Sequence, residues 1–366
     1  MQMSDRYTPL RQIARDLGAD AVAVVPGPNF VRLFGQDFHS HERPLVVVIP
    51  QDGPPAAIVP NLELRSFDLI GFEGAVFDWR DQDGYTAAFD ALAAHLPVTS
   101  LAVEGQIMRV FVHHALTASH PGLRVVDAER EISGLRIRKS PAEIAAIEDA
   151  IHISERALEH LLADVRAGMT ETEVEGLLTR ALFANGAEAH AFGPIVAAAD
   201  NSARPHAHAR PDYAIQPGDA LLIDFGARKN GFCADITRTV FVGPPSGEAA
   251  QVYDTVLRAN LRGLEVARPG ATAHDVDDAV TAVLEASPFA DRIRTKTGHG
   301  LGRDVHEAPY IMRGNPQKLE PGMVFTDEPG LYRIGAFGVR IEDDVLVTED
   351  GCRSLTSFPK TLMVVG

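Results

Sequence analysis

The stretch LLIDFGARKNGFCADITRTVFV (221–242) holds two β-rich runs flanking Asn230-Gly231, the dipeptide that most strongly favours a two-residue hairpin turn. A hairpin closed on that pair sets Asp224 opposite Thr237 and Asp235 opposite Gly226, so the two aspartates become diagonal neighbours on one face. Two carboxylates held side by side in an otherwise apolar sheet repel each other and lose hydration unless a proton or a cation lies between them. Gly226, without a side chain, is expected to leave room for such a cation. The alternative is that one aspartate caps a turn while the other faces water, and this segment alone does not choose.

Three segments further along supply partners. TGHGLGRDVHEAP (297–309) holds His299 between glycines, whose missing side chains are expected to let an ion approach, and His306 seven residues later. MVFTDEPG (323–330) carries Glu328 just before a Pro-Gly stop. In FGVRIEDDVLV (337–347) strand alternation puts Val339, Ile341 and Asp343 on one face and Arg340, Glu342 and Asp344 on the other. Each of these residues, taken singly, reads as an ordinary satisfied or solvated polar side chain. Together they form a set of carboxylates and imidazoles suited to divalent ions.

The rest of the chain frames these segments. Before about residue 134, short β-branched runs at 21–25, 44–50, 56–60, 75–79, 100–104 and 123–127 read as strands, with a helix over 86–96, giving an α/β domain. A helix start follows, with Ser140 as N-cap, Pro141 at the first helical position and Glu143 completing a capping box. Ile144, Ile147, Ile151, Leu158 and Leu161 then repeat at helical spacing. The domains are accordingly set at 1–134 and 135–366, and the basic RIRK stretch (136–139) is expected to be a solvated joint. After about 217, strands and tight turns surround helical patterns at about 247–266 and 273–286, an order that suggests an α+β second domain.

Composition excludes several classes. A formal net charge of −16 with no compact basic run argues against nucleic acid. With 45% hydrophobic and 23% charged residues the chain is neither disordered nor fibrous. Apolar runs are strand-sized, so no membrane span is expected, and no signal peptide is read in the charged N-terminus. Two cysteines, Cys233 and Cys352, cannot build a disulfide framework, which points to a cytoplasmic home.

DFGARKNGFCADITRT, GHGLGRDVHEAP, TDEPG and RIEDD, in that order and preceded by NSARPHA (201–207), resemble the metallopeptidase family that contains aminopeptidase P, prolidase and methionine aminopeptidase. The resemblance is close over about 135–366, and the leading α/β domain looks like the creatinase/prolidase-type N-terminal domain of the proline-directed branch. It implies a pita-bread α+β fold for the second domain. It also implies that Asp224 and Asp235 ligate one ion, that Asp235, His299 and Glu328 reach the other, and that Glu342 bridges both. His206 and His306 fall where the family keeps two non-ligand histidines near the substrate, and a separate metal site at His206 and His208 is disfavoured. The oxygen-rich donor set favours Mn²⁺, with Co²⁺ or Zn²⁺ as substitutes.

The chemistry implied is hydrolysis of the Xaa-Pro peptide bond, with two divalent ions activating water and polarising the carbonyl. Glu328 would move the proton, and His206 and His306 would hydrogen-bond the developing oxyanion and a substrate carbonyl. Arg340 is expected near the proline site, the alternative being a salt bridge to an Asp or Glu of the same site. Arg43 from the first domain, with Arg32 second, is the candidate for pairing a dipeptide's carboxylate and blocking longer peptides. Two departures stand out: Thr295 replaces a histidine that proline-directed members often carry, and Cys233 shares the face of Asp235. The sequence therefore reads as an Xaa-Pro dipeptidase acting on small proline peptides, a homodimer by family habit. An Xaa-Pro aminopeptidase for longer peptides is the first rival. A metal-free creatinase-like amidinohydrolase and a non-catalytic binding protein are more distant ones.

Overall fold

The computed structural model describes residues 6–38 and 41–366, so the first residues of the N-terminus read above for a leader lie outside it. The chain folds into two compact units, one ending at Arg136 and the other covering Ile137–Gly366. Among the described residues no helix is long and apolar enough to cross a membrane.

The first unit is built on β1 (Ala21–Val24), β2 (Val46–Pro50), β3 (Ala56–Pro60), β4 (Ala75–Trp79), β5 (Ser100–Val103) and β6 (Arg124–Asp127), in the order β4-β3-β2-β1-β5-β6. All six runs read as strands are strands. β2 is antiparallel to both its neighbours and the other pairings are parallel. Val22, Val47 and Ile49 bury into one apolar cluster and Ala23, Val46 and Val48 into another, so both faces are covered, which is why these runs are continuously apolar rather than alternating.

Just past β5, Glu104 is 2% exposed; its Oε1 accepts from Asn29 Nδ2 at 2.6 Å, while its Oε2 and the Asn29 Oδ1 have no partner. Burial outweighs the Asn29 hydrogen bond and pushes the Glu104 carboxyl from 4.5 up to about 7. The folded chain thus keeps a proton that the unfolded chain releases at lower pH. Stability falls as pH rises through that window, and the full cost of ~3 kcal/mol is present above it. Glu104→Gln is expected to leave stability unchanged near pH 4 and to raise it by up to ~3 kcal/mol near pH 8. Denaturant unfolding followed by Trp79, the only tryptophan and buried in this unit, reads the difference; superimposable curves near pH 8 would contradict it.

The second unit opens with the helix Pro141–Asp164, capped by Ser140 and Glu143 as read, with Ile147, Ile151, Leu158 and Leu161 buried. Thr170 caps a second helix, Glu171–Ala184, in the same way. The basic stretch before these helices is not a solvated joint. Arg136 and Lys139 are buried, and Lys139 Nζ pairs with Glu307 at 2.6 Å, with both side chains 2% exposed. Only Arg138 lies open, beside Glu320. A buried ammonium needs a buried anion, and the anion lies 168 residues away, beyond any local pattern.

The remaining strands are, in chain order, β7 (Ala189–His190), β8 (Ile195–Ala198), β9 (Ala220–Phe225), β10 (Ala227–Lys229), β11 (Phe232–Cys233), β12 (Ile236–Val242), β13 (Gly298–Gly300), β14 (Glu307–Ile311), β15 (Val324–Asp327), β16 (Gly330–Arg333), β17 (Phe337–Arg340), β18 (Asp343–Val347), β19 (Cys352–Ser354) and β20 (Val364–Val365). They form sheets ordered β11-β10-β7, β20-β12-β9-β8, β14-β13-β15-β18-β19 and β16-β17. The helices Gly247–Val266 and Ala273–Glu285 pack beside them, giving the α+β arrangement expected.

The Asn230-Gly231 hairpin forms in the register read from sequence. Both turn residues have positive φ, Arg228 pairs Cys233, and Asp224 pairs Thr237. One reason differs. A Cβ on Gly226 would lie 1.7 Å from the Ala234 carbonyl oxygen, on Gly298 1.8 Å from that of Thr326, and on Gly300 2.1 Å from that of Ala308. These glycines make room for neighbouring backbone, not for an ion.

Candidate metal centre

The hairpin, β13, the end of β15 and the β17–β18 segment bring Asp224, Asp235, His299, Glu328 and Glu342 to one place. Asp224, Asp235 and Glu342 offer ligand atoms within 4.8 Å of one another, as do His299, Glu328 and Glu342, and as do Asp235, His299 and His306. His299 Nε2 lies 3.3 Å from Glu328 Oε1 and 3.6 Å from Asp235 Oδ2. Its Nδ1 meets the Gly300 carbonyl at 3.1 Å, which places the ring proton there and turns the Nε2 lone pair toward the carboxylates. Burial pushes the His299 pKa down to about 3, so the imidazole stays neutral, as a ligand must be.

Electrostatics make the cluster costly by itself. Burial raises Asp224, Asp235, Glu328 and Glu342 above the ordinary carboxylate range. At Asp235 and Glu342 repulsion from the other acids adds to it, while at Asp224 and Glu328 the Arg340 charge is the largest offset. Asp224 Oδ1 is buried without a hydrogen-bond partner. Four crowded carboxylates, one orphaned oxygen and a neutral imidazole fit hard divalent cations, which supply the charge that the protein withholds.

Alternation on the 340–344 segment holds as read. Arg340 and Glu342 both face the cluster, with Arg340 Nε 4.0 Å from Glu342 Oε2, while Asp343 turns the other way to pair with the fully buried Arg238 at 2.8 Å. Arg340 is buried, and its guanidinium donates to Thr237 Oγ1 at 3.0 Å, to the Tyr332 hydroxyl at 2.9 Å and to Asp224 Oδ2. It is thus committed within the cluster. Thr237 in turn donates to Glu342 Oε2, and Asp344 Oδ2 accepts the Asp235 backbone N–H at 3.1 Å. Thr237, Tyr332 and Asp344 were not singled out from sequence. The cross-strand pairing of Thr237 with Asp224, and the shared face of Asp344 and Glu342, were the available signals.

His306 stacks on His299 with ring centroids 3.8 Å apart and lies within ligand reach of Asp235. His206 is exposed, and its charge is felt by Asp224 and His306; among the described residues, no metal-capable group contains His206 or His208. The loop carrying His206 is held by Glu171, fully buried, which accepts from the Ala198 and Arg210 backbone N–H groups, from Asn201 and from the Arg210 guanidinium. Arg43, in the first unit, pairs with Asp81 at 2.8 Å and with Glu42. Cys233 is buried and its thiol is pushed up to about 12 by that burial, so it packs as an inert thiol.

Comparison with known proteins identifies the family. The profile of metallopeptidase family M24 matches residues 145–349, and that of the creatinase/prolidase N-terminal domain matches residues 6–138. A probable dipeptidase PepE of Mycobacterium tuberculosis is 34% identical over 356 residues, spanning 96% of this chain and 93% of its own. The crystal structure of a prolidase from Thermococcus sibiricus is 32% identical with a TM-score of 0.93, covering 100% of both chains. That of an X-Pro aminopeptidase from Thermotoga maritima is 31% identical with a TM-score of 0.83, over 97% of this chain and 98% of its own. The chain belongs to metallopeptidase family M24, with a creatinase/prolidase N-terminal domain preceding the catalytic one.

Proposed function

We propose that this protein is an Xaa-Pro dipeptidase in which Asp224, Asp235, His299, Glu328 and Glu342 hold two divalent ions, Mn²⁺ in the cell. The observation that carries the reading is the convergence of these five side chains, four of them buried and Glu328 half-buried, from four separate segments, in overlapping groups of three whose ligand atoms lie within 4.8 Å of one another. Bound there, the ions would supply Lewis acidity toward the scissile carbonyl and acidify a water. Glu328 is suited to carry the proton to the leaving imino nitrogen: Thr326 Oγ1 holds its Oε1 at 3.1 Å, and burial puts its carboxyl near neutrality, at about 7. His306, stacked on His299, and His206 on its loop are suited to hydrogen-bond the oxygen that gains charge and the substrate carbonyl. We assign Arg340 to orienting Asp224 rather than to the substrate. The two free cysteines support a reducing cytoplasm.

The named relatives include a dipeptidase and a prolidase, which favours dipeptides, while the Thermotoga aminopeptidase keeps the longer-peptide reading as second. A panel of Xaa-Pro dipeptides and Xaa-Pro-Xaa tripeptides assayed with Mn²⁺ separates them. The expected result is a kcat/KM at least about tenfold higher for the dipeptides, which corresponds to ~1.4 kcal/mol of differential binding in the transition state. A tripeptide preference would move the protein to the aminopeptidase class, and full activity after chelation would end the metallopeptidase reading.

A further inference from the structure

An Xaa-Pro dipeptide ends in a carboxylate one residue beyond the bond to be cut, so an enzyme selecting it needs a cation beside the site that is not already neutralised. Arg340 and Arg43, two of the three arginines singled out from sequence, are already paired. Arg340 spends its donors on Asp224, Thr237 and Tyr332, and Arg43 pairs with Asp81 and Glu42.

Lys296 is placed differently. It lies three residues before His299 and next to Thr297, whose carbonyl accepts the Glu328 backbone N–H at 2.8 Å and whose own N–H donates to Asp277 at 2.9 Å. Its backbone is thereby tied to the segment carrying the proposed base. The side chain is exposed, and its ammonium sits 5.5 Å from the ring centroid of Tyr310, on β14 four residues beyond His306. Among the described residues it has no carboxylate within salt-bridge distance. Its charge is felt at His306, His299 and Glu328.

We propose that Lys296 receives the C-terminal carboxylate of the dipeptide and is the specificity-determining residue for dipeptides over longer or amidated substrates. The assignment rests on the Xaa-Pro reading above. An ammonium on a flexible four-carbon stem, steadied on an aromatic face, suits a carboxylate whose position shifts with the residue before proline. With an uncharged amide it loses the charge pairing and keeps at most a neutral hydrogen bond.

The test compares Ala-Pro with Ala-Pro amide, on the full chain with Mn²⁺, for wild type, Lys296→Met and Lys296→Arg. Lys296→Met is expected to lower the dipeptide-over-amide ratio of kcat/KM by roughly 10- to 100-fold, chiefly through KM for the dipeptide, and Lys296→Arg to retain most of the ratio. A ratio unchanged in Lys296→Met, or an equal loss on both substrates, overturns the assignment and leaves the Xaa-Pro reading standing. A wild type that cleaves neither substrate overturns both.

Discussion

Asp235→Asn is expected to yield a chain that is more stable than the wild type when stripped of divalent ions, that no longer gains the wild type's stability from Mn²⁺, and that is nearly inactive. Asp235 is 3% exposed, and Glu342, Asp224, Asp344 and Glu328 all repel its charge. An amide of the same shape removes one buried anion from that crowd, which relieves the stripped chain. It also removes an oxygen that lies among two of the three metal-capable groups, so ion binding weakens. A ligand at 100 times its Kd stabilises by ~2.7 kcal/mol, and most of that Mn²⁺-dependent gain in Tm should vanish. Activity should fall at least the ~100-fold that disturbing even indirect support of a ligand can cost. Calorimetry with and without Mn²⁺ reads both signs at once. A variant less stable when stripped, with its response to Mn²⁺ intact, would remove Asp235 from the cage.

Lys139→Met is the second large effect. It takes the ammonium away from Glu307, whose side chain is 2% exposed, and breaking a buried pair from one side costs ~3–5 kcal/mol, on the order of 10 °C in Tm for a unit of this size. Glu307 pairs across to Gly300 and directly follows His306, so the strain falls where the two histidine rings stack. Lys139→Met with Glu307→Met should recover much of the lost stability, because the uncompensated charge is gone. If the double variant is as unstable as the single one, packing of the lysine stem and not the ion pair is what matters.

Much of the fold was legible because its signals are local. Six strands of the first unit, the capping box at Ser140 and the Asn230-Gly231 hairpin each arise from residues within a few positions of one another. The five proposed ligands were legible for a different reason: four motifs in a fixed order resemble a known family, and no single motif sufficed. The errors came where a side chain's partner is distant. Lys139 looked like one more solvated charge, and Gly226, Gly298 and Gly300 looked like room for an ion.

Sequence alone therefore determined which faces of the hairpin and of the 340–344 segment carry the acids, since strand period and turn register depend only on chain geometry. Tertiary structure decided which charges are already neutralised. That depends on what each sheet packs against, and it left Arg340 bound to Asp224, Lys139 bound to Glu307 and Lys296 with its ammonium exposed beside the Tyr310 ring.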